Sequence, residues 1–593
     1  MDRTCLVKAA RGDVELDMLF SNVNLVNVFS CEVYPADVGI YADRIAVVGP
    51  AGAFNLKAKR VYDGSGKWAV PGFIDTHAHI ESSMVTPANY AAAVLPRGTT
   101  TSVVDPHEVA NVMGMDGVRY LVEASQSLPL RVLVAVPSCV PAVPGKEEAG
   151  ASFSSDEIAE MLSWPGIVAL GEVMDYRGVV AGKPRMIEIV NTALNMKKTI
   201  QGHAPRLSGR ELNAYIAAGI DNDHEIRGGE EALEKLRLGL IPLLRVNSFN
   251  NQISNIIRGL TSAKLIDLAL CTDDVEPEDL LQNGHLDRVI RGVIEEGIDP
   301  ALAIRWATLN GARQYNLRDL GAIAPGYIAD IVLLSSLEDV RTSEVIVGGR
   351  LIVEAGALVK AIESPPIALE VGNSVCVKPL SAIDFILPAP IKNGTINANV
   401  IALDLVTRLT RLETVTVRVK EHRLDLESRD DGICYLCVVP RHGQTHGQPS
   451  VVLLKGVDMR RGAMATSIAH DSHNILVAGR KPNDMLRAVQ ELEKTGGGIV
   501  IADEGRVLAK VELPLAGLLS LKTAPEVALE MKVLNDTLRH LGVDVPAPGL
   551  VLSGLALLVL PEVRVSDMGG LFDVLTQEFI PVFTGGMADE SQE

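Results

Sequence analysis

Two histidines separated by one residue, His77 and His79, follow an apolar run that stops at Asp75. On an extended strand residues i and i+2 face the same side, so both imidazoles can converge on one point. The pattern recurs along the next two hundred residues. A short apolar run ends, and acids or histidines follow: Asp105, His107 and Glu108, then Glu172, then His203, then Asp223, His224 and Glu225, then Arg245, then Asp273 and Asp274. Of the chain's 12 histidines, five stand at these run ends. One such histidine reads as a hydrogen-bonded core residue. Five of them among carboxylates read differently, because such a group is costly to bury unless a cation organises it. Imidazole and carboxylate without thiolate suit Zn, Mn or Fe.

The runs themselves say what positions these groups. Eight occur, WAVPGFIDTH, TTTSVVDPHE, RVLVAVPS, IVALGEV, KTIQGHA, GIDNDHE, LIPLLRV and LIDLALCTDD, and segments with helical spacing such as EEALEKLRLG lie between them. Eight strand–helix units predict a (β/α)8 TIM-type barrel, in which chemistry gathers at the C-terminal strand ends. The rival, a doubly wound open sheet, lacks its G-x-G-x-x-G after the first strand. Strand-like runs with turns flank the barrel on both sides. The expected organisation is a small composite β-sandwich from 1–70 and 319–368, the barrel over 71–318, and a C-terminal α/β domain over 369–593.

Composition narrows the partners. The 593 residues carry a formal net charge of −19, which disfavours nucleic acid and anionic membranes as general partners. No apolar run is long enough to span a bilayer and no leader pattern opens the chain, so a cytoplasmic protein is expected. The seven cysteines read as thiols. Cys434 and Cys437 match C-x-x-C, but their strand-like setting points to core packing. The glycine run between Thr495 and Val500 lacks P-loop spacing and reads as a turn.

The stretches PGFIDTHAHIESSM, DPHEVANVMG, GEVMDY, GHAPRLSGRELNAYIAAGI, DHE and CTDD resemble, in order and spacing, the adenine deaminase family of the amidohydrolase superfamily. So do IAHDSHNILVAG and GGGIVIADEGRVLAKVELPLAGLLS in the C-terminal part, and the likeness covers about residues 17–583. The resemblance implies a binuclear centre, with Mn2+ or Fe2+ as the usual metals and Zn2+ as an alternative. His77, His79 and Asp273 would hold one ion, His203 and His224 the other, and Glu172 would bridge them. The implied reaction is attack of activated water on C6 of adenine, giving hypoxanthine and ammonia, with Asp273 moving the proton. Mononuclear relatives in the superfamily carry a glutamate three residues after the strand-five histidine, where this chain has Arg206, which cannot serve as an acid. Glu108 is the first candidate to protonate the ring, with Glu81 and Glu225 behind it; His107 would orient Glu108 or touch substrate. Strand seven departs too, reading Arg245-Val246-Asn247-Ser248 where the family pattern has an acid at the second place, which leaves related aminopurines open as substrates. His470, Asp471 and His473 form either a further functional group or a turn network. The expected partners are a small-molecule substrate, adenine, and a second copy of the chain in a dimer. The alternatives are another amidohydrolase reaction, such as cyclic-amide hydrolysis or N-acetyl sugar-phosphate deacetylation, and a barrel that has lost catalysis; the second would have lost a ligand, and none is missing.

Overall fold

A computed structural model describes residues 3–260, 268–365 and 373–586, apart from 406, 408, 430, 444–446 and 546. The start of the eighth apolar run and the expected boundary at 368–369 lie outside the described residues. The chain divides into two compact units. The first comprises Met1–Pro106, Leu121–Ser138 and Ser154–Ile367; the second comprises His107–Tyr120, Cys139–Phe153 and Ala368–Glu593.

In the first unit, eight parallel strands follow one another in chain order: Phe73–Ala78, Thr99–Val104, Arg131–Val136, Ile167–Val173, Thr199–Gly202, Asn222–Asp223, Ile241–Arg245 and Ala269–Cys271. Each arises from one of the eight apolar runs. Strands two and four are buried on almost every residue, as expected when helices cover the outer face and side chains fill the inner one. The ring closes through a parallel bridge between Ala78 and Asp273, so the first and last strands meet at their C-terminal ends. The first run splits at Gly72. Its start, Trp68–Pro71, joins a nine-stranded mixed sheet made from Met18–Pro71 strands and the Ile331–Leu358 hairpins, while Phe73 enters the barrel. Gly72 permits this step, because a Cβ there would lie 2.1 Å from Thr100 Oγ1.

The second unit is built on a ten-stranded sheet, covered by the helices Pro482–Thr495 and Ala524–His540, with a separate three-stranded sheet over Val563–Phe579. Cys434 and Cys437 are buried in one strand of the large sheet, and burial pushes the Cys434 thiol up to about 12. That suits packing rather than reactivity. The glycine run ends the first of these helices: Gly496 caps it with φ 74° before the strand Gly498–Asp503 begins.

Candidate active site

Strands one, four, five, six and eight bring histidines and acids together at one rim. His77 and His79 leave the first strand, and their Nε2 atoms stand 3.1 Å apart. The ring hydrogens of both can be assigned. His77 Nδ1 faces Gln201 Oε1 at 3.1 Å, and the Gln201 amide nitrogen donates to the Thr76 carbonyl, which fixes the amide's orientation. His79 Nδ1 faces the Asp105 carbonyl at 2.9 Å. Carbonyl oxygens only accept, so both Nδ1 atoms carry hydrogen and both Nε2 atoms turn to the same point. At that distance a proton or a metal cation must lie between the two nitrogens, since two bare lone pairs would repel. His224 adds a further sign: neither ring nitrogen has a hydrogen-bond partner among the described residues, although the side chain is 1% exposed. An imidazole buried in that way fits a metal ligand.

Two carboxylates complete the group. Glu172, at the end of strand four, sets Oε2 against His203 Nδ1 and 3.2 Å from His224 Nε2, with Oε1 3.7 Å from His79 Nε2. It therefore faces imidazoles of both expected metal positions. Asp273 Oδ1 lies 3.3 Å from His79 Nε2, 3.5 Å from His77 Nε2 and 3.8 Å from His224 Nε2. Its other oxygen accepts from Arg245 Nη1 and, at 2.7 Å, from Asn247 Nδ2. Asp273 adopts φ 61°, a left-handed conformation that costs about 1 kcal/mol and that aspartate tolerates better than most residues.

The electrostatics ask for positive charge. Burial opposes ionisation of Asp273, yet Arg245 and then His77 and His79 hold it well below the carboxylate range. Glu172 is likewise held well down, against burial, by His203 and His224. In return, and again against burial, Glu172, with Glu225 and Asp223, lifts His203 to about 9. His79 rises well above its ordinary value despite burial, because Asp273, Asp274 and Glu172 surround it. One arginine, Arg245, is shared between Asp273 and Glu225. Divalent cations would supply what is lacking, and the donor set is of the N/O kind that Zn, Mn and Fe accept.

Residues 68–352 match the amidohydrolase family, and residues 407–578 match the adenine deaminase C-terminal domain. An adenine deaminase of Nitratidesulfovibrio vulgaris (strain DP4) is 41% identical over 582 residues, covering 97% of this chain and 98% of the relative. That of Kosmotoga olearia is 39% identical, covering 98% and 99%. The chain belongs to the adenine deaminase family. Among solved structures, the atrazine chlorohydrolase TrzN of Arthrobacter aurescens overlays on 58% of this chain and 97% of its own, at 17% identity and a TM-score of 0.45.

The other residues singled out in this family member fall into three settings. Glu81 is buried two residues beyond His79, at the start of a short 3-10 turn, Glu81–Ser83. Glu225 donates nothing: its Oε1 accepts from Arg245 Nη2 at 2.6 Å, and against burial Arg245 holds it ionised. His107 and Glu108 open the helix His107–Met113 and group with the second unit, where Glu108 faces His470 and His473. Asp105 is structural; its Oδ2 accepts the Glu172 backbone N–H at 2.7 Å and so seats that residue. Val246 leaves no gap in the grip on Asp273, since its neighbours Arg245 and Asn247 supply both contacts. Asn247 and Gln201 are the functional neighbours that sequence reasoning missed. Gln201 precedes His203 by two residues on a strand and so shares its face, which is the signal that was available.

Proposed function

We propose that this chain catalyses the hydrolytic deamination of adenine to hypoxanthine and ammonia, in purine salvage, at a binuclear centre on the barrel rim. Full-length similarity to adenine deaminases supports the substrate. The single observation that carries the chemistry is the convergence of His77, His79, Glu172, His203, His224 and Asp273, with the Nε2 atoms of the first two turned to one point. We assign His77, His79 and Asp273 to one ion, His203 and His224 to the other, and Glu172 to both, with Mn2+ or Fe2+ as the pair. Such ions supply Lewis-acid activation of water at neutral pH.

The chain's own groups do the rest. Asp273 Oδ1 faces the centre while Arg245 and Asn247 hold Oδ2, so one carboxylate oxygen is aimed and the other fixed. That oxygen takes the proton of the attacking water and returns it to the exocyclic nitrogen, so water adds at C6 and the C6–N bond breaks with loss of ammonia. The ring needs a proton at N1 as C6 is attacked. Glu225 is ionised against Arg245 and is unsuited to give one. Glu81 is our assignment for this step, with Glu108 beside His107 as the alternative donor. A cytoplasmic homodimer completes the proposal; among the described residues no helix is long and apolar enough to cross a membrane. The test is ammonia release by the Mn- or Fe-reconstituted protein from adenine, adenosine and cytosine. Ammonia from adenine alone supports the reading, and ring opening of a dihydropyrimidine with no ammonia from any aminopurine would replace it with cyclic-amide hydrolysis.

A further inference from the structure

A second convergence of imidazole and carboxylate lies wholly within the second compact unit. His107, His470 and Asp471 each turn one donor atom to within 4.8 Å of the others. The His107 Nε2 to Asp471 Oδ1 distance is 3.7 Å. A hydrogen bond between such atoms spans about 2.7–3.2 Å. Two donors at about 2.1 Å from a shared cation, in tetrahedral or trigonal arrangement, lie roughly 3.4–3.7 Å apart. The spacing is that of ligands around an ion.

Glu108 stands behind this group, with Oε1 3.6 Å from His470 Nδ1 and Oε2 3.9 Å from His473 Nε2. His473 has no exposed surface, and its Nδ1 accepts the Ala469 backbone N–H at 3.1 Å. An imidazole whose Nδ1 accepts must carry its hydrogen on Nε2. That Nε2 has no hydrogen-bond partner among the described residues and is aimed at Glu108. With its hydrogen on Nε2, His473 offers no lone pair to an ion and turns that N–H toward Glu108. A carboxylate behind a ligand histidine is a recurrent device that fixes the ring and raises its basicity.

We propose that His107, His470 and Asp471 bind one divalent transition metal that prefers nitrogen and oxygen donors, with Glu108 oriented by His473 behind His470. In this arrangement His470 turns Nδ1 toward Glu108 and gives Nε2 to the ion. Two imidazoles and one carboxylate leave coordination positions for water or a small anionic ligand. The His470 side chain is 18% exposed, which provides an entry path. The proposal stands whether or not the substrate is adenine.

The test is metal content. The full chain is reconstituted with Mn2+, freed of loose metal and analysed by inductively coupled plasma mass spectrometry, with Mn2+ electron paramagnetic resonance alongside. His470→Gln and Asp471→Asn, both near the size of the native side chain, should each lose about one metal equivalent per chain. His473→Gln should keep that equivalent and bind it roughly tenfold or more weakly, as expected for a group behind the ligands. Glu172→Ala should lower the count through the barrel centre, independently of His470→Gln. If His470→Gln and Asp471→Asn hold as much metal as the native protein, the proposal is overturned. If Glu172→Ala alone leaves the count unchanged, the barrel assignment fails and this one stands. Circular dichroism confirms that each variant is folded before its metal is counted.

Discussion

The barrel rim and the His470 cluster use the same side chains and hold them differently. At the rim, carboxylates dominate: Asp273 and Glu172 stay ionised and lift His79 and His203. In the second unit, burial, His470 and Arg441 drive His473 well below its ordinary value, so it stays neutral. The first arrangement stores negative charge and suits two divalent ions. The second has a fixed tautomer, a carboxylate behind it and donors for one ion. Residue type alone does not distinguish a reactive centre from an ordering one; the balance of fixed charge around the imidazoles does.

The sharpest way to break this contrast is Asp273→Asn. It should cut adenine turnover by about 10^3-fold, since one carboxylate serves both proton steps, while part of the rim metal remains bound. Steady-state ammonia assays with metal analysis on the same sample check it, and full activity would remove the proton role. Next comes Glu81→Gln, expected to lower kcat by roughly 10^2-fold in the same ammonia assay. If Glu108→Gln does this instead, Glu108 is the acid.

Smaller still is Arg245→Met, expected to cost about 10- to 100-fold in kcat through loss of the grip on Asp273. Arg245→Lys should recover part of it, because Lys restores charge without the two-pronged geometry that reaches Asp273 and Glu225 together. The smallest effect concerns His285, a barrel-unit histidine outside both clusters. Burial, with Arg288 and Arg97, lowers its pKa to about 3, and it bonds Tyr90 and Thr99 as a neutral ring. The unfolded ring titrates near 6.5, so stability is lost as pH falls below 6.5 and the loss grows until about 3. Between pH 7.5 and 5.5 this one group costs about 1.4 kcal/mol. Urea unfolding of His285→Gln should show a correspondingly smaller acid loss, with metal content unchanged.

Much of the rim was legible because period-two alternation and strand ends are local features. His77 and His79 share a strand face by spacing alone, and each of the eight apolar runs became a strand. Glu172 and Asp273 were readable as acids that close such runs. What was not legible depends on contacts between distant residues. The seam that brings Asp273 to Ala78 links positions at opposite ends of the barrel sequence. The tautomers of His77 and His79 depend on Gln201 and on the Asp105 carbonyl, groups with no motif of their own. Glu225 read as a candidate acid until Arg245, twenty residues away, was seen to hold its charge. His107 and Glu108 follow strand two in sequence but belong with residues beyond 368, a grouping that local pattern cannot announce.

The central claim is that the rim donors, loaded with metal, deaminate adenine. Metal-free protein titrated with Mn2+ under anaerobic conditions, with ammonia and hypoxanthine measured at each step, tests it most directly. The account predicts equal amounts of both products, rising with bound metal and absent in the Glu172→Ala protein. Full metal occupancy with no ammonia from adenine or any other aminopurine would contradict it.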